Sequence, residues 1–354
     1  MKSIKTIKVR VKDRHAKTLG SMAKSVNFVW NYLNDLSYRA IKEHNKFLSS
    51  YDVHPYTRGS GGELGLHSQT LQAVASEFVA RRNQFHKAKL SWRKSQGSRR
   101  SLGWVPMPSG RAVIWSNGQV YHNGHYFKVW DHCDIGSYKW LSSSFNEDSR
   151  GRWYFNVAVE VETTESASEL SVGIDLGLKD VATCSDGTKL ANHRFYRSSE
   201  VELAAAQRAG KKARVRAIHA KIKNQRKDAL HKFSRSLVNR CGAIYVGDVS
   251  STKLVKTKMA KSVLDAGWGM LKTMLSYKCA HAGLVFKVVD ESYTTQTCSS
   301  CGSLPESRPR GIAGLGIREW TCSDCGVSHD RDVNAAKNIL ALGSGRLAEG
   351  RTSP

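Results

Sequence analysis

Cys298-Ser299-Ser300-Cys301, a gap of twenty residues, then Cys322-Ser323-Asp324-Cys325, followed four residues later by His329-Asp330-Arg331-Asp332-Val333-Asn334-Ala335-Ala336, is the stretch on which the reading of this chain turns. Each CxxC turn aims two thiolates at one centre, so two such turns supply the four soft ligands of a tetrahedral zinc site. A single CxxC leaves a redox pair or chance open; the doubled spacing predicts a zinc ion held by Cys298, Cys301, Cys322 and Cys325. A closed four-thiolate site has no vacant coordination position, so this metal is structural and the chemistry must lie elsewhere.

Upstream of the cysteines the texture is mixed. A strand over 172–176, a hairpin entered at 181–184 and turned by Asp186-Gly187, a long helix near 200–240, a strand over 243–249, a helix from about 262 to 281 and a strand over 284–289 precede the zinc insertion. A last helix starts at Asp332. That order matches an RNase H-like fold. Nearer the N-terminus, Lys8-Val9-Arg10-Val11-Lys12 alternates with period two and predicts a strand with a basic outer face. Met22, Val26, Val29, Leu33 and Leu36 then recur at helical spacing. A second helical pattern, Leu71, Val74, Phe78 and Phe85, is expected to continue into a basic run from Arg81 to Arg100. Between 103 and 165, alternating aromatic and β-branched residues punctuated by Asn117-Gly118 and Asn123-Gly124 predict a small antiparallel barrel, which the N-terminal strand could join.

The charge balance narrows the class of partner. Fifty-five Lys and Arg against thirty Asp and Glu leave +25 on 354 residues, which implies a polyanion. No apolar run approaches the ~20 residues of a spanning helix, and the Lys-rich start is not followed by an apolar signal segment, so nucleic acid is expected rather than a membrane. From Arg208 to Arg235 eleven Lys or Arg face one acid, Asp228, a one-signed run that phosphate neutralisation explains better than solvation does. Cys133, Cys184, Cys241 and Cys279 are scattered without a pairing pattern, as in a reducing cytosol.

Hydrolysis of a phosphodiester with two divalent ions needs carboxylates converging from separate elements, because hard cations take oxygen ligands. Asp175, inside the apolar run Val172-Gly173-Ile174-Asp175-Leu176-Gly177, is the first candidate: an acid there is costly unless paired or metal-bound. Asp332 at the start of the last helix is the second, with capping and metal binding divided between Asp330 and Asp332. These stretches, together with Tyr293-Thr294-Thr295-Gln296-Thr297-Cys298 and Asp330-Arg331-Asp332-Val333-Asn334-Ala335-Ala336-Lys337-Asn338-Ile339-Leu340, resemble the TnpB proteins of bacterial insertion sequences, relatives of the type V CRISPR effectors and of the Fanzor proteins. The resemblance covers about 170 to 342 by motif.

It implies an α+β multidomain protein. A RuvC-like (RNase H-like) nuclease domain would span 169–290 and 328–342, with a zinc-ribbon insertion at 291–327. A wedge β-barrel would comprise 1–13 and 103–168, a helical recognition module 14–102 and a flexible tail 343–354. It further implies Mg2+ at the carboxylates, a guide RNA from the transposon end, double-stranded target DNA beside a short motif, one protein per guide RNA, and a bacterial cytoplasmic, nucleoid-associated location.

One departure stands out. Where such proteins usually end the second acidic strand with Glu then Asp, this chain reads Val246-Gly247-Asp248, and Asp248 should point to the opposite face of the sheet. Glu291, just past the neighbouring strand, can reach across the ~4.8 Å between strands. The expected triad is therefore Asp175, Glu291 and Asp332, resembling rearranged sites in some Fanzor and TnpB members. The alternatives are a nuclease-inactive, RNA-guided DNA-binding repressor, in which Asp290-Glu291 is a solvated loop pair, and a DNA transposase, for which no residue here demands strand joining.

Overall fold

The computed structural model describes residues 2–108, 112–162, 168–249, 259–311 and 313–345. The chain divides after Glu162 into two compact units.

In the N-terminal unit, strand β1 (Lys2–Val11) leads into helix α1 (Ala16–His44), and helix α2 (Ser68–Gln84) follows after short helical turns. Strands β2 (Trp104–Met107), β3 (Ile114–Ser116), β4 (Gln119–His122), β5 (His125–Phe127), β6 (Val129–Trp130), β7 (Trp140–Glu147) and β8 (Trp153–Glu162) complete it. β1 lies antiparallel to β8 with Val9 opposite Phe155, so the chain enters and leaves the helical stretch from one sheet. The pairing is not one barrel ladder. A five-stranded sheet in the order β2-β7-β8-β1-β6 and a separate β3-β4-β5 meander share a core, since three strands of three or four residues are too short to bridge the larger sheet's edges. Phe127, Phe145 and Phe155, all fully buried, stack through that core with ring centroids 4.8 and 5.1 Å apart. Both Asn-Gly pairs turn as expected, with positive φ at Asn117, Gly118, Asn123 and Gly124, the geometry of two-residue hairpins.

The basic run after α2 is not helical. The helix ends at Gln84, and residues 90–95 lie extended along α1. Asn34 donates to the Leu90 carbonyl (2.8 Å) and accepts its N–H (2.9 Å); Asn31 does the same for Arg93 (2.9 and 2.8 Å). Side-chain amides on one face of α1 thus act as strand partners, a pattern that hydrophobic periodicity does not register. On the outer face of β1, Lys12 sits 3.4 Å over the exposed Trp130 ring and Lys8 4.0 Å over Tyr154.

The second unit is built on a five-stranded sheet in the order β11-β10-β9-β12-β13. Its strands are β9 (Ser171–Asp175), β10 (Asp180–Cys184), β11 (Lys189–Ala191), β12 (Ala243–Gly247) and β13 (Val285–Val289). β9, β10 and β11 run antiparallel, while β9, β12 and β13 are parallel. The expected long helix is two, α3 (Glu200–Arg208) and α4 (Lys212–Arg240), parted at Gly210, where φ is 64°. Likewise α5 (Ala260–Ala266) and α6 (Trp268–Ala282) part at Gly267 with φ 74°. Ile218, Ile222, Leu230, Leu237 and Val238 form the buried stripe of α4, and its Lys and Arg cover the rest. Hairpin β14 (Glu319–Thr321) and β15 (Ser328–Asp330) leads into α7 (Arg331–Gly343).

α7 packs on β9 at a distance only glycine allows. A Cβ on Gly173 would lie 2.1 Å from the Ala336 carbonyl oxygen and 2.6 Å from the Leu340 nitrogen. Gly173 therefore sets how closely the helix carrying Asp332 approaches the strand carrying Asp175. Among the described residues no helix is long and apolar enough to cross a membrane. Most of the expected tail, 346–354, lies outside the described residues.

Candidate carboxylate site and zinc centre

Asp175 is the last residue of β9, half-buried, at the edge where the three parallel strands end. Val246 pairs with Ile174 and Gly247 with Val289, so Gly247 lies beside Asp175 and just before the loop bearing Glu291. Glu291 fills the space a side chain at Gly247 would need: a Cβ there would meet Glu291 Oε2 at 2.8 Å and Ile339 Cδ1 at 3.1 Å. Asp248 turns away, as the pleat requires. Its N–H continues the ladder to the Val289 carbonyl (2.8 Å), while its exposed carboxylate meets Lys272 Nζ at 3.2 Å.

At the head of α7 the two acids have separate tasks. Asp330 caps the helix, accepting the N–H groups of Asp332 (2.9 Å) and Val333 (3.0 Å), and pairs with Lys189 at 2.8 Å. Asp332, with a side chain only 13% exposed, keeps its carboxylate for Arg318, whose Nη1 lies 3.1 and 3.3 Å from its two oxygens. Burial first, then the charges of Asp332 and Glu291, push the Asp175 carboxyl up to about 7, against the pull of Arg331 and Arg318. Burial also raises Glu291, with Lys272 opposing and Asp248 and Asp290 adding to the rise. The charges of Asp332 and Glu291 both act on Asp175, and such oxygen donors are the kind a hard divalent cation takes, although the three carboxylates are not among the described groups whose ligand atoms all lie within 4.8 Å of one another.

The raised Asp175 carboxyl carries a stability prediction. A carboxyl whose folded pKa lies above its unfolded value favours folding while protonated, and that contribution is lost as pH rises from near 4 through about 7. Asp175→Asn in EDTA is therefore expected to melt above the wild type near pH ~8 and level with it near pH ~4, by ~2–4 °C per kcal/mol relieved. Thermal melts at both values check this. A higher wild-type melting temperature near pH 8 would contradict it.

The four cysteines were expected at one centre, and the structure brings them there. Among the described residues they are the one set of three or more Cys, His, Asp or Glu whose ligand atoms all lie within 4.8 Å. The Cys298–Cys325 and Cys301–Cys322 sulfur pairs are 3.6 and 3.8 Å apart, against the ~3.8 Å that tetrahedral Zn–S bonds of ~2.3 Å require. Zinc fits. His329, outside the ligand set, approaches Cys298 Sγ to 3.0 Å through Nε2 and packs on Trp320.

Two residues that sequence reasoning left without a role join the centres. Asn338 Nδ2 donates to the carbonyls of Thr294 and Thr297 (both 2.8 Å). Asn334 donates to the same pair (3.2 and 2.7 Å) and accepts the Ser299 N–H at 2.8 Å. Thr294 Oγ1 in turn donates to the Glu291 carbonyl at 2.7 Å. The helix of Asp332 therefore grips the loop of Glu291 and the first knuckle together. Asn338→Ala removes both of its hydrogen bonds to the Thr294 and Thr297 carbonyls and is expected to cost ~1–3 kcal/mol of stability. Thermal melts check this, and an unchanged melting temperature would contradict the assignment.

Two segments match known families. Residues 154–258 match the family described as "Probable transposase", and 268–339, spanning the knuckles and most of α7, match the Cas12f1-like TNB domain. The chain belongs to the TnpB family of RNA-guided DNA endonucleases. A Streptomyces pristinaespiralis protein named as an RNA-guided DNA endonuclease is 35% identical over 298 residues, 77% of this chain and 69% of that one. The Escherichia coli K12 protein InsQ, named likewise, is 29% identical over 57% of this chain and 56% of its own length. Cas12f1 of Sulfoacidibacillus thermotolerans is 26% identical over 60% of this chain and 55% of its own. The fold aligns with the cryo-EM structure of a Cas12f1–sgRNA–target DNA complex at a TM-score of 0.61 and 11% identity, over 96% of this chain and 99% of that one.

Proposed function

We propose that this chain is a transposon-encoded, RNA-guided DNA endonuclease, with Asp175, Glu291 and Asp332 holding Mg2+ for phosphodiester hydrolysis. The observation that carries the reading is the place of Glu291, whose carboxylate fills the space left free at Gly247, beside Asp175. Gly247 is also the feature from which a repressor would be argued, and the position of Glu291 Oε2 in the space beside it weighs against that reading. The strand order of the second unit supports an RNase H-like (RuvC) domain over 169–290 and 328–342, with 291–327 as its zinc ribbon. Residues 1–13 with 103–168 read as a wedge-type β module and 14–102 as the recognition module.

When bound, Mg2+ at such a site supplies an activated water and charge stabilisation for the leaving 3′ oxygen. Asp175 and Asp332 approach from a strand and a helix, and Glu291 closes the site from a loop that Asn334 and Asn338 hold. Arg318 places a cation beside Asp332 where a backbone phosphate would arrive. The basic face of α4 and the lysine-over-aromatic face of β1 offer phosphate contacts for a guide RNA from the transposon end and its DNA target, one protein per guide. Pairing to the guide would supply most of the sequence specificity.

The test is cleavage of a matched double-stranded target by protein purified with its co-expressed transposon-end RNA, in Mg2+ and in EDTA. Mg2+-dependent cutting is expected. Guide-dependent binding without cutting would return the repressor reading, and integration products would return the transposase.

A further inference from the structure

A cavity of about 200 Å³ opens beside the loop that leaves β9, three residues past Asp175. Arg194, Arg197 and Lys261 line it together with Glu200 and Asp265, while Arg226 reaches Asp265 from α4. Both acids are engaged. Asp265 is buried, with Arg226 Nη2 at 2.5 Å and the Tyr196 N–H at 3.0 and 3.1 Å; Glu200 holds Lys261 Nζ at 2.8 Å. Three lining cations thus face two acids already paired with Lys261 and Arg226, and among the described residues neither Arg194 nor Arg197 is in a salt bridge, although Arg197 lies close enough to act on Glu200.

The turn presenting these arginines is anchored rather than loose. Arg194 holds a left-handed conformation, φ 48° and ψ 46°, which non-glycine residues adopt at a cost and keep where the surroundings enforce it. Asn192 enforces it, accepting the Arg194 N–H at 3.0 Å and donating to the Leu178 carbonyl at 2.8 Å. That bond ties the arginine turn to the loop leaving the strand of Asp175. The Tyr196 ring, 5.9 Å from Lys261 Nζ, gives one wall a flat aromatic face.

We propose that this cavity is a phosphodiester-binding site, in which Arg194 and Arg197 grip a backbone phosphate of the DNA strand being led to the carboxylates and Tyr196 faces the adjoining nucleotide. Guanidinium forks match phosphate oxygens two at a time, and an aromatic wall accepts any base. The tie to the loop that leaves the strand of Asp175 favours DNA over the guide, and the experiment below separates the two. The assignment rests on the nuclease reading above.

Protein carrying its co-expressed RNA is compared as wild type, Arg194→Gln/Arg197→Gln and Arg194→Lys/Arg197→Lys, using a labelled short single-stranded DNA in EDTA across ~50–200 mM salt. The Gln pair is expected to flatten the log–log salt dependence by about 0.7, for the one phosphate no longer neutralised on a single strand, and to weaken DNA binding about tenfold with RNA retention unchanged. In cleavage it should raise KM and leave kcat unchanged. The Lys pair, which keeps the charge but not the fork, should fall between and shows that the turn still folds. An unchanged salt slope would overturn the site, and loss of RNA with DNA binding intact would overturn its assignment to DNA. A wild type that binds neither nucleic acid would instead overturn the nuclease reading itself.

Discussion

Glu291→Gln is expected to lower the cleavage rate at saturating target by at least ~100-fold, because even outer-shell partners of metal ligands contribute ~10–100-fold and Glu291 would be a direct ligand. Asp248→Ala should stay within about twofold, under ~0.5 kcal/mol at the barrier. The contrast follows from geometry: Glu291 Oε2 occupies the space at Gly247, whereas Asp248 faces Lys272 in solvent. Gly247→Ala should itself impair cutting, since the new methyl would lie 2.8 Å from that oxygen. The paired exchange Gly247→Glu with Glu291→Ala should recover activity relative to Glu291→Ala alone by returning a carboxylate to the neighbouring strand. Single-turnover rates for the series decide the matter. An active Glu291→Gln beside an inactive Asp248→Ala would overturn the triad.

Removing zinc should have an effect as large by a different route. Cys322→Ala/Cys325→Ala, or stripping with a strong chelator, is expected to lower cleavage by at least ~100-fold even when Mg2+ is restored, and only the stripped wild type is expected to recover when Zn2+ is returned. Structural zinc contributes ~10–16 kcal/mol in small zinc modules, as much as the whole stability of a typical domain. Here it would order both ends of the site. The first knuckle runs back through Thr297 to Thr294, whose Oγ1 donates to the Glu291 carbonyl, and the second runs on through β15, paired with β14, to Asp330 and Asp332. The five-stranded sheet carries none of the four cysteines, so global melting should shift less than activity. Zinc-stripped protein that cuts normally in Mg2+ would contradict the coupling.

The parts of the fold most legible in the sequence were those with short-range chemical signatures. The CxxC pair pointed to the cluster of four cysteines, Asn-Gly dipeptides to two hairpins, and an acid in an apolar run marked Asp175 as a candidate. Glu291 is reached only through strand spacing and pleat direction around Gly247; the structure puts its Oε2 in the space a side chain at that glycine would need. Features built from long-range polar contacts were not legible. Asn31 and Asn34 hold an extended basic strap that reads, by composition, as more helix. Asn334 and Asn338 stood in a quoted motif without a role, because the carbonyls they bind lie some forty residues away. Arg318 had no local signal: only folding of the zinc hairpin brings it to Asp332. Gly210 and Gly267 break helices whose hydrophobic periodicity runs straight through them.

Asp175, Glu291 and Asp332 are proposed to hold the catalytic ions together. The most direct measurement is the anomalous signal of Mn2+ in crystals of the RNA-bound protein. Peaks bridging these three carboxylates are predicted, with loss of the Glu291-side density in Glu291→Gln. Manganese bound at Asp248 with none at Glu291 would contradict the account.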